Sequence, residues 1–237
     1  VSLALAHKRR LIAEGPANAG ASAKAVAYSS DTALSSPANA KKHLKLMEDA
    51  LALDLERVSA INSRELRQQL KRDELLPKYL DYVQRYRDSG LSFPNSVVMQ
   101  VLVWLFDTVQ FEAGLDLANF AMEQHQPMPE RFRRDVPTFV ADAVIEWAEA
   151  EQKAGRSPEP YVSDLLPRVD GEWQLTEQIP AKYHKLLGIR ALDAREWTKA
   201  ITHFERATEL HAAVGVGTRL EGARKALAKE LANNAAE

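Results

Sequence analysis

The chain has 237 residues, 46% of them apolar and 27% charged, enough to bury a core as one domain with an appendage or as two small domains. Its 31 basic and 33 acidic side chains leave a net charge of −2, which excludes a chain that coats nucleic acid by uniform positive charge but permits a local basic patch. Absence of cysteine excludes disulfide frameworks, thiol nucleophiles and thiolate zinc sites, and no apolar run approaches the ~18–20 residues of a membrane span.

Residues 3–14 read as a short helix carrying Lys8, Arg9 and Arg10, with the apolar stretch before the charges, the reverse of a signal peptide. In residues 15–37, 16 of 23 positions are Ala, Ser, Gly or Pro, too little apolar surface to offset ordering entropy. Residues 1–37 are therefore expected to be a flexible basic arm and linker. Ser36-Pro37 is a helix start signal, a serine cap followed by proline at the first helical position. Leu44, Met47, Leu51, Leu55, Val58 and Ile61 then form one apolar stripe, less regularly continued by Leu66, Leu70 and Leu75-Leu76. Residues 38–76 are thus expected as a long helix of roughly 57 Å if unbroken, meeting a partner helix in an oligomer. Two shorter helices folded onto the core are the alternative.

A helical core is expected over 77–155. It contains a segment after Pro77 rich in Tyr and Val, an all-round apolar helix at 97–109, an amphipathic one at 111–125, and another at 138–154. Residues 156–180, with four prolines and little periodicity, are expected as an acidic surface connection. Helices resume at 181–192, 196–212 and 218–233. In this 181–237 segment Gly188, Trp197, Ala200, Phe204, Ala207 and Leu210 stand at the spacing of one tetratricopeptide hairpin, small residues at the contact and rings filling the groove. The fold class is all-α: a long N-terminal helix followed by packed α-hairpins with a tetratricopeptide-like C-terminal pair.

No phosphate-binding glycine loop or serine-nucleophile motif occurs, and the six histidines (7, 43, 125, 184, 203, 211) are scattered through the chain. The nearest approach to a metal-nuclease pattern is Asp164 with Asp170-Gly171-Glu172-Trp173-Gln174, which has Gln174 in place of the needed lysine. No catalytic residue, metal ligand or cofactor is assigned on this basis. Basic clusters are the remaining signal: Lys41, Lys42 and Lys45 early in the long helix, then Arg64, Arg67, Lys71 and Arg72 near its end, with Arg131, Arg133 and Arg134 as a third group. The first two sets are the expected DNA-binding residues, the second because its spacing places side chains on one helical face to track phosphates. By section, residues 1–76 carry +3, 77–137 −2, 138–180 −6 and 181–237 +3, so basic ends flank an acidic middle.

Lys71-Arg72-Asp73-Glu74-Leu75-Leu76-Pro77 resembles the Arg-Glu-Leu-Leu-Pro segment of the small terminase subunits of P-two-like temperate contractile-tailed phages and prophages. Val101 to Thr108 is similar to that family's Trp-x-x-Asp-Thr helix. The match continues through Met128-Pro129, Lys182-Tyr183-His184-Lys185 with Gly188, His203, Arg206-Ala207-Thr208 and Leu210. Two departures stand out. Asp107-Thr108-Val109-Gln110 replaces the family's Asp-Thr-Gly-Asp turn, and the sequence ends in Leu231-Ala232-Asn233-Asn234-Ala235-Ala236-Glu237 where relatives can carry a basic tail.

The resemblance implies a subunit that binds double-stranded viral DNA at the packaging, or cohesive-end, site in the host bacterial cytoplasm. It further implies a homo-oligomeric ring that directs cleavage and packaging by a large ATPase and nuclease subunit, with no membrane association. An endonuclease role is also attributed to the family, which leaves a metal-dependent endonuclease as the alternative reading. A helical-repeat scaffold for a protein partner is the second alternative.

Overall fold

The computed structural model describes residue 34 and residues 36–234, and contains helices and turns with no strand among them. The expected arm helix at 3–14 and nearly all of the expected linker lie outside the described residues. The chain divides into two compact units, residues 1–46 and 47–237. None of the described helices is long and apolar enough to cross a membrane.

Helix α1 runs from Pro37 to Ala60, where the expected long helix breaks. Ser63 caps a new helix, α2 (Arg64–Leu70), its hydroxyl accepting from the Leu66 amide at 3.3 Å. The stripe therefore serves two helices. Serine competes for backbone donors in just this way, which makes it a better cap than interior residue. Much of the stripe is also satisfied within the protein, since Leu51 and Val58 are buried. Asp54, on the same face, accepts from Lys78 Nζ (2.6 Å), Tyr79 Oη (2.7 Å) and Arg57 Nη1 (2.9 Å). Burial alone would push the Asp54 carboxyl up, but these three partners together hold it below its ordinary value.

A π-helical turn (Lys71–Leu75) joins α2 directly to α3 (Leu76–Asp88), so helix continues through Pro77. Pro77 follows just after the π turn, at the start of α3. Tyr79, Tyr82 and Tyr86 recur every three or four residues on the buried face of α3. Each hydroxyl has a partner: Asp54 for Tyr79, Asn95 Nδ2 at 2.8 Å for Tyr82, and the Phe93 carbonyl at 2.8 Å for Tyr86. Helix α4 (Ser96–Asp107), capped by the Asn95 side chain, buries every residue from Val97 to Phe106 and is the central core helix.

Around it pack α5 (Phe111–Glu123) and α6 (Val136–Lys153), the latter capped by Asp135. The expected connection at 156–180 is instead partly helical. Helix α7 (Tyr161–Pro167) and a π turn (Arg168–Glu172) bury Val162, Leu165 and Val169. Four prolines masked this element, yet three apolar side chains at spacings of 3 and 4 anchor it.

The C-terminal hairpin consists of α8 (Gln178–Asp193) and α9 (Trp197–Leu210), followed by α10 (Gly217–Asn234). Ala200, Phe204 and Ala207 face inward from α9 and are fully buried. The Phe204 ring lies where a Cβ on Gly188 would stand, 2.6 Å from it, so the two helices approach through a glycine. Trp197 is half-buried and turned toward α10, its indole N–H donating to Glu230 at 2.5 Å.

Candidate nucleic-acid interface

Helix α2 is held against the C-terminal end of α4 by two side chains. Gln68 Nε2 donates to the Asp107 carbonyl at 2.9 Å, and Lys71 Nζ pairs with the Asp107 carboxylate at 2.6 Å. A donor and a cation at a helix C-terminus meet its unsatisfied carbonyls and negative dipole end. This docking brings the basic face of α2 beside the 129–135 segment that leads into α6. Between them lies a groove of about 610 Å³ lined by Arg64, Gln68 and Asp107 on one side and by Arg131, Arg133 and Arg134 on the other. A smaller recess of about 210 Å³, lined by Arg64, Arg67, Gln68, Lys71 and Asp107, adjoins it through shared residues.

Two of these cations are neutralised locally. Lys71 is spent on Asp107, and Arg134 pairs with Asp142. Arg131 donates to Gln100 Oε1 at 2.5 Å and stacks 4.9 Å from the Phe132 ring, which fixes its direction without cancelling its charge. Among the described residues Arg64, Arg67 and Arg133 have no acidic partner, and the Arg67 Nε is buried without an acceptor. Of the groove's acids, Glu146 alone is unpaired among the described residues, so the groove lining is net positive.

The expected residues thus separate. Arg64 lines the groove together with the third arginine cluster, while Arg67 and Lys71 line the recess that adjoins it. Arg72 lines neither the groove nor the recess and pairs with Asp73 at 2.9 Å. Lys41, Lys42 and Lys45 are exposed on the first turns of α1, in the N-terminal unit. Arg131, Arg133 and Arg134 are a cluster in the sequence, but their approach to α2 spans some 65 residues of chain and carries no periodic signal.

A second polar cluster lies in the C-terminal hairpin. Arg206 of α9 grips Asp170, at the π turn after α7, through two bonds of 2.9 and 2.8 Å. Asp170 Oδ2 is also 3.0 Å from His184 Nε2, and His184 Nδ1 is 2.9 Å from His203 Nδ1. Arg206 chiefly holds the Asp170 carboxyl below its usual range, against the opposing effect of burial and with help from His184. Burial lowers both imidazoles; at His184 the Asp170 carboxylate opposes this, and at His203 the charges of His184 and Lys199 add to it. The six histidines looked scattered in the sequence, yet two of them touch across 19 residues of chain. No group of three or more His, Cys, Asp or Glu among the described residues is placed to hold a metal ion.

Fold and site define an all-α protein of packed helical hairpins with an arginine-lined groove. The family model for the phage small terminase subunit matches residues 49–178, more than half of the chain, and the chain belongs to that family. It is similar to the probable terminase, endonuclease subunit, of Haemophilus phage HP1, at 34% identity over 189 residues covering 74% of this chain and 67% of that one. It is also similar to the terminase, endonuclease subunit, of Escherichia phage P2, at 29% identity over 171 residues covering 72% and 69%. No solved structure matches.

Proposed function

We propose that this chain is the DNA-recognition subunit of a viral packaging machine. It binds double-stranded viral DNA at the cohesive-end site, assembles with copies of itself into a ring, and directs cleavage and packaging by a large subunit with ATPase and nuclease activity. The observation that supports this reading is that Arg64 and Arg133 line one groove and Arg64 and Arg67 the recess adjoining it, none of the three with an acidic partner among the described residues. Guanidinium groups left unpaired beside a groove suit phosphate oxygens, which they meet with paired, directional hydrogen bonds. Lys41, Lys42 and Lys45 supply a second contact on α1 in this reading. Arg72, already paired at the surface, adds charge only at longer range.

The test is duplex binding as a function of salt. Each phosphate contact contributes about −0.9 to the slope of log affinity against log salt. The Arg64→Glu, Arg67→Glu, Arg133→Glu triple variant is expected to flatten the wild-type slope by about 3 and to weaken binding at low salt. Arg72→Glu is expected to change the slope little. Binding by the triple variant with an unchanged slope would remove the groove from the interface.

A further inference from the structure

The lining of the arginine groove is not polar throughout. Phe132, Phe139 and Trp147 line it, each half-buried, together with the buried Phe106. The rings brace one another edge to face. Phe132 and Phe139 stand 5.5 Å apart at 76°, and Phe139 and Phe106 stand 5.5 Å apart at 75°. Trp147 is held in the same way against Phe111, at 4.8 Å and 70°. The Arg131 guanidinium lies 4.9 Å from the Phe132 ring, and its bond to Gln100 keeps it there. Such contacts fix the orientation of the rings before any ligand arrives. Glu146, next to Trp147 in the chain, belongs to the same lining and has no partner among the described residues.

A phosphate backbone alone does not account for this lining. Phosphate oxygens are met by the guanidinium groups of Arg64 and Arg133, but they gain nothing from aromatic rings and are repelled by the Glu146 carboxylate. In a duplex each base is stacked against its neighbours, so a protein meets only base edges and the sugar-phosphate backbone. An unpaired strand is different. Its bases offer their ring faces, and stacking on aromatic side chains or on an arginine plane holds them with little regard to sequence. Their edges also carry N–H donors, which a carboxylate accepts. The groove, about 610 Å³, lies within the ~300–1,000 Å³ range of small-ligand pockets, which suits single nucleotides and is too small for a duplex.

We propose that this groove seats the unpaired strand of a duplex that ends in a single-stranded extension. Its bases stack against Phe132, Phe139 and Trp147, and the phosphates at the junction lie against the exposed Arg64 and Arg133. The proposal rests on the reading of this chain as a DNA-binding terminase subunit, and names the part of the DNA that enters the groove. In that reading the cohesive end supplies the strand, since a cohesive end is a duplex that finishes in unpaired nucleotides. The paired part stays outside the groove, within reach of Arg67 in the adjoining recess.

The experiment uses the full chain and three labelled duplexes of one sequence. One is blunt, one carries a single-stranded tail, and one carries a tail of abasic nucleotides with the same phosphates and no bases. The wild-type chain is expected to bind the tailed duplex about 5-fold or more tightly than the abasic-tailed one, which is what one base stacked on a ring contributes. The abasic tail is expected to add to the blunt duplex only what its phosphates supply, an increment that salt removes. Phe132→Leu combined with Phe139→Leu keeps an apolar lining and removes two rings, and is expected to bind the tailed and abasic-tailed duplexes alike. Phe132→Leu alone gives the same readout in smaller measure where the double variant loses helical content. Equal binding of the tailed and abasic-tailed duplexes by the wild-type chain would overturn this proposal and leave the duplex-binding reading intact. A preference for bases that survives in the folded double variant would overturn it too, by placing the strand away from these rings. Absence of binding to all three duplexes would overturn the reading on which the proposal rests.

Discussion

Val109 adopts φ +62°, a left-handed conformation that a β-branched residue rarely tolerates. It stands at the third position of Asp107-Thr108-Val109-Gln110, where the resembled family turn has glycine. The turn closes α4 through Val109 N–H to Phe106 O and Gln110 N–H to Leu105 O, at 3.1 and 2.8 Å, so the helix ending imposes the conformation. A left-handed residue with a Cβ costs roughly 1–2 kcal/mol, and the 48% exposed Val109 side chain returns little of that through burial. Val109→Gly is therefore expected to stabilise the protein by about 1 kcal/mol, raising the thermal midpoint by about 2–4 °C.

The histidine pair gives a second expectation at the same scale, with a pH sign. Both rings titrate below their ordinary value of 6.5 in the folded chain, chiefly through burial. The unfolded chain then binds more protons as pH falls through 6.5, so stability present above that pH drains away below it. Asp170, also lowered, adds a further loss at more acid pH, below its ordinary value of 3.8. Denaturant midpoints are expected to fall between about pH 7.5 and 5.5, and His203→Gln is expected to flatten that fall. A midpoint independent of pH in this window would mean that the pair is not neutral in the folded state.

Among the elements, the α8–α9 hairpin is the most tightly specified contact. A Cβ at Gly188 would lie 2.6 Å from the Phe204 ring, and Phe204 is fully buried. Gly188→Ala is expected to cost about 1–3 kcal/mol, read as a lower denaturation midpoint, with recovery when Phe204→Leu is added. This contact was legible in the spacing of Gly188, Ala200 and Phe204, because helix periodicity predicts which side chains meet in a local hairpin. Helices α4 to α6 and α8 to α10 were legible for the same reason. The break at Ser63 was harder to see, since leucines continue past it and only a serine marks the cap. Helix α7 was hidden by the prolines around it. The Asp170–His184–His203–Arg206 cluster was illegible for a different reason: its hydrogen bonds join residues 14 to 36 apart on three elements.

For the whole molecule, charge placement matters more than the net −2. The paired cations fasten elements to one another: Lys71 to Asp107, Arg57 to Glu74, Arg206 to Asp170. Arginines without acidic partners among the described residues line the groove and its adjoining recess; in the proposed reading a single chain would offer few phosphate contacts and bind weakly. Copies held together would pool those contacts, since each further site binds at the effective concentration set by the assembly. At the bend between α1 and α2, Ala60, Ile61, Leu66 and Leu70 line an open recess, and Leu66 remains 56% exposed. Apolar surface of this kind on a helical bend fits a contact with another copy of the chain. Leu66→Glu is expected to shift sedimentation from an oligomer to a monomer and, in the same preparation, to weaken duplex binding without touching any groove arginine. A wild-type chain that sediments as a monomer at micromolar concentration would leave the groove as a single weak site and require the large subunit to supply the remaining affinity.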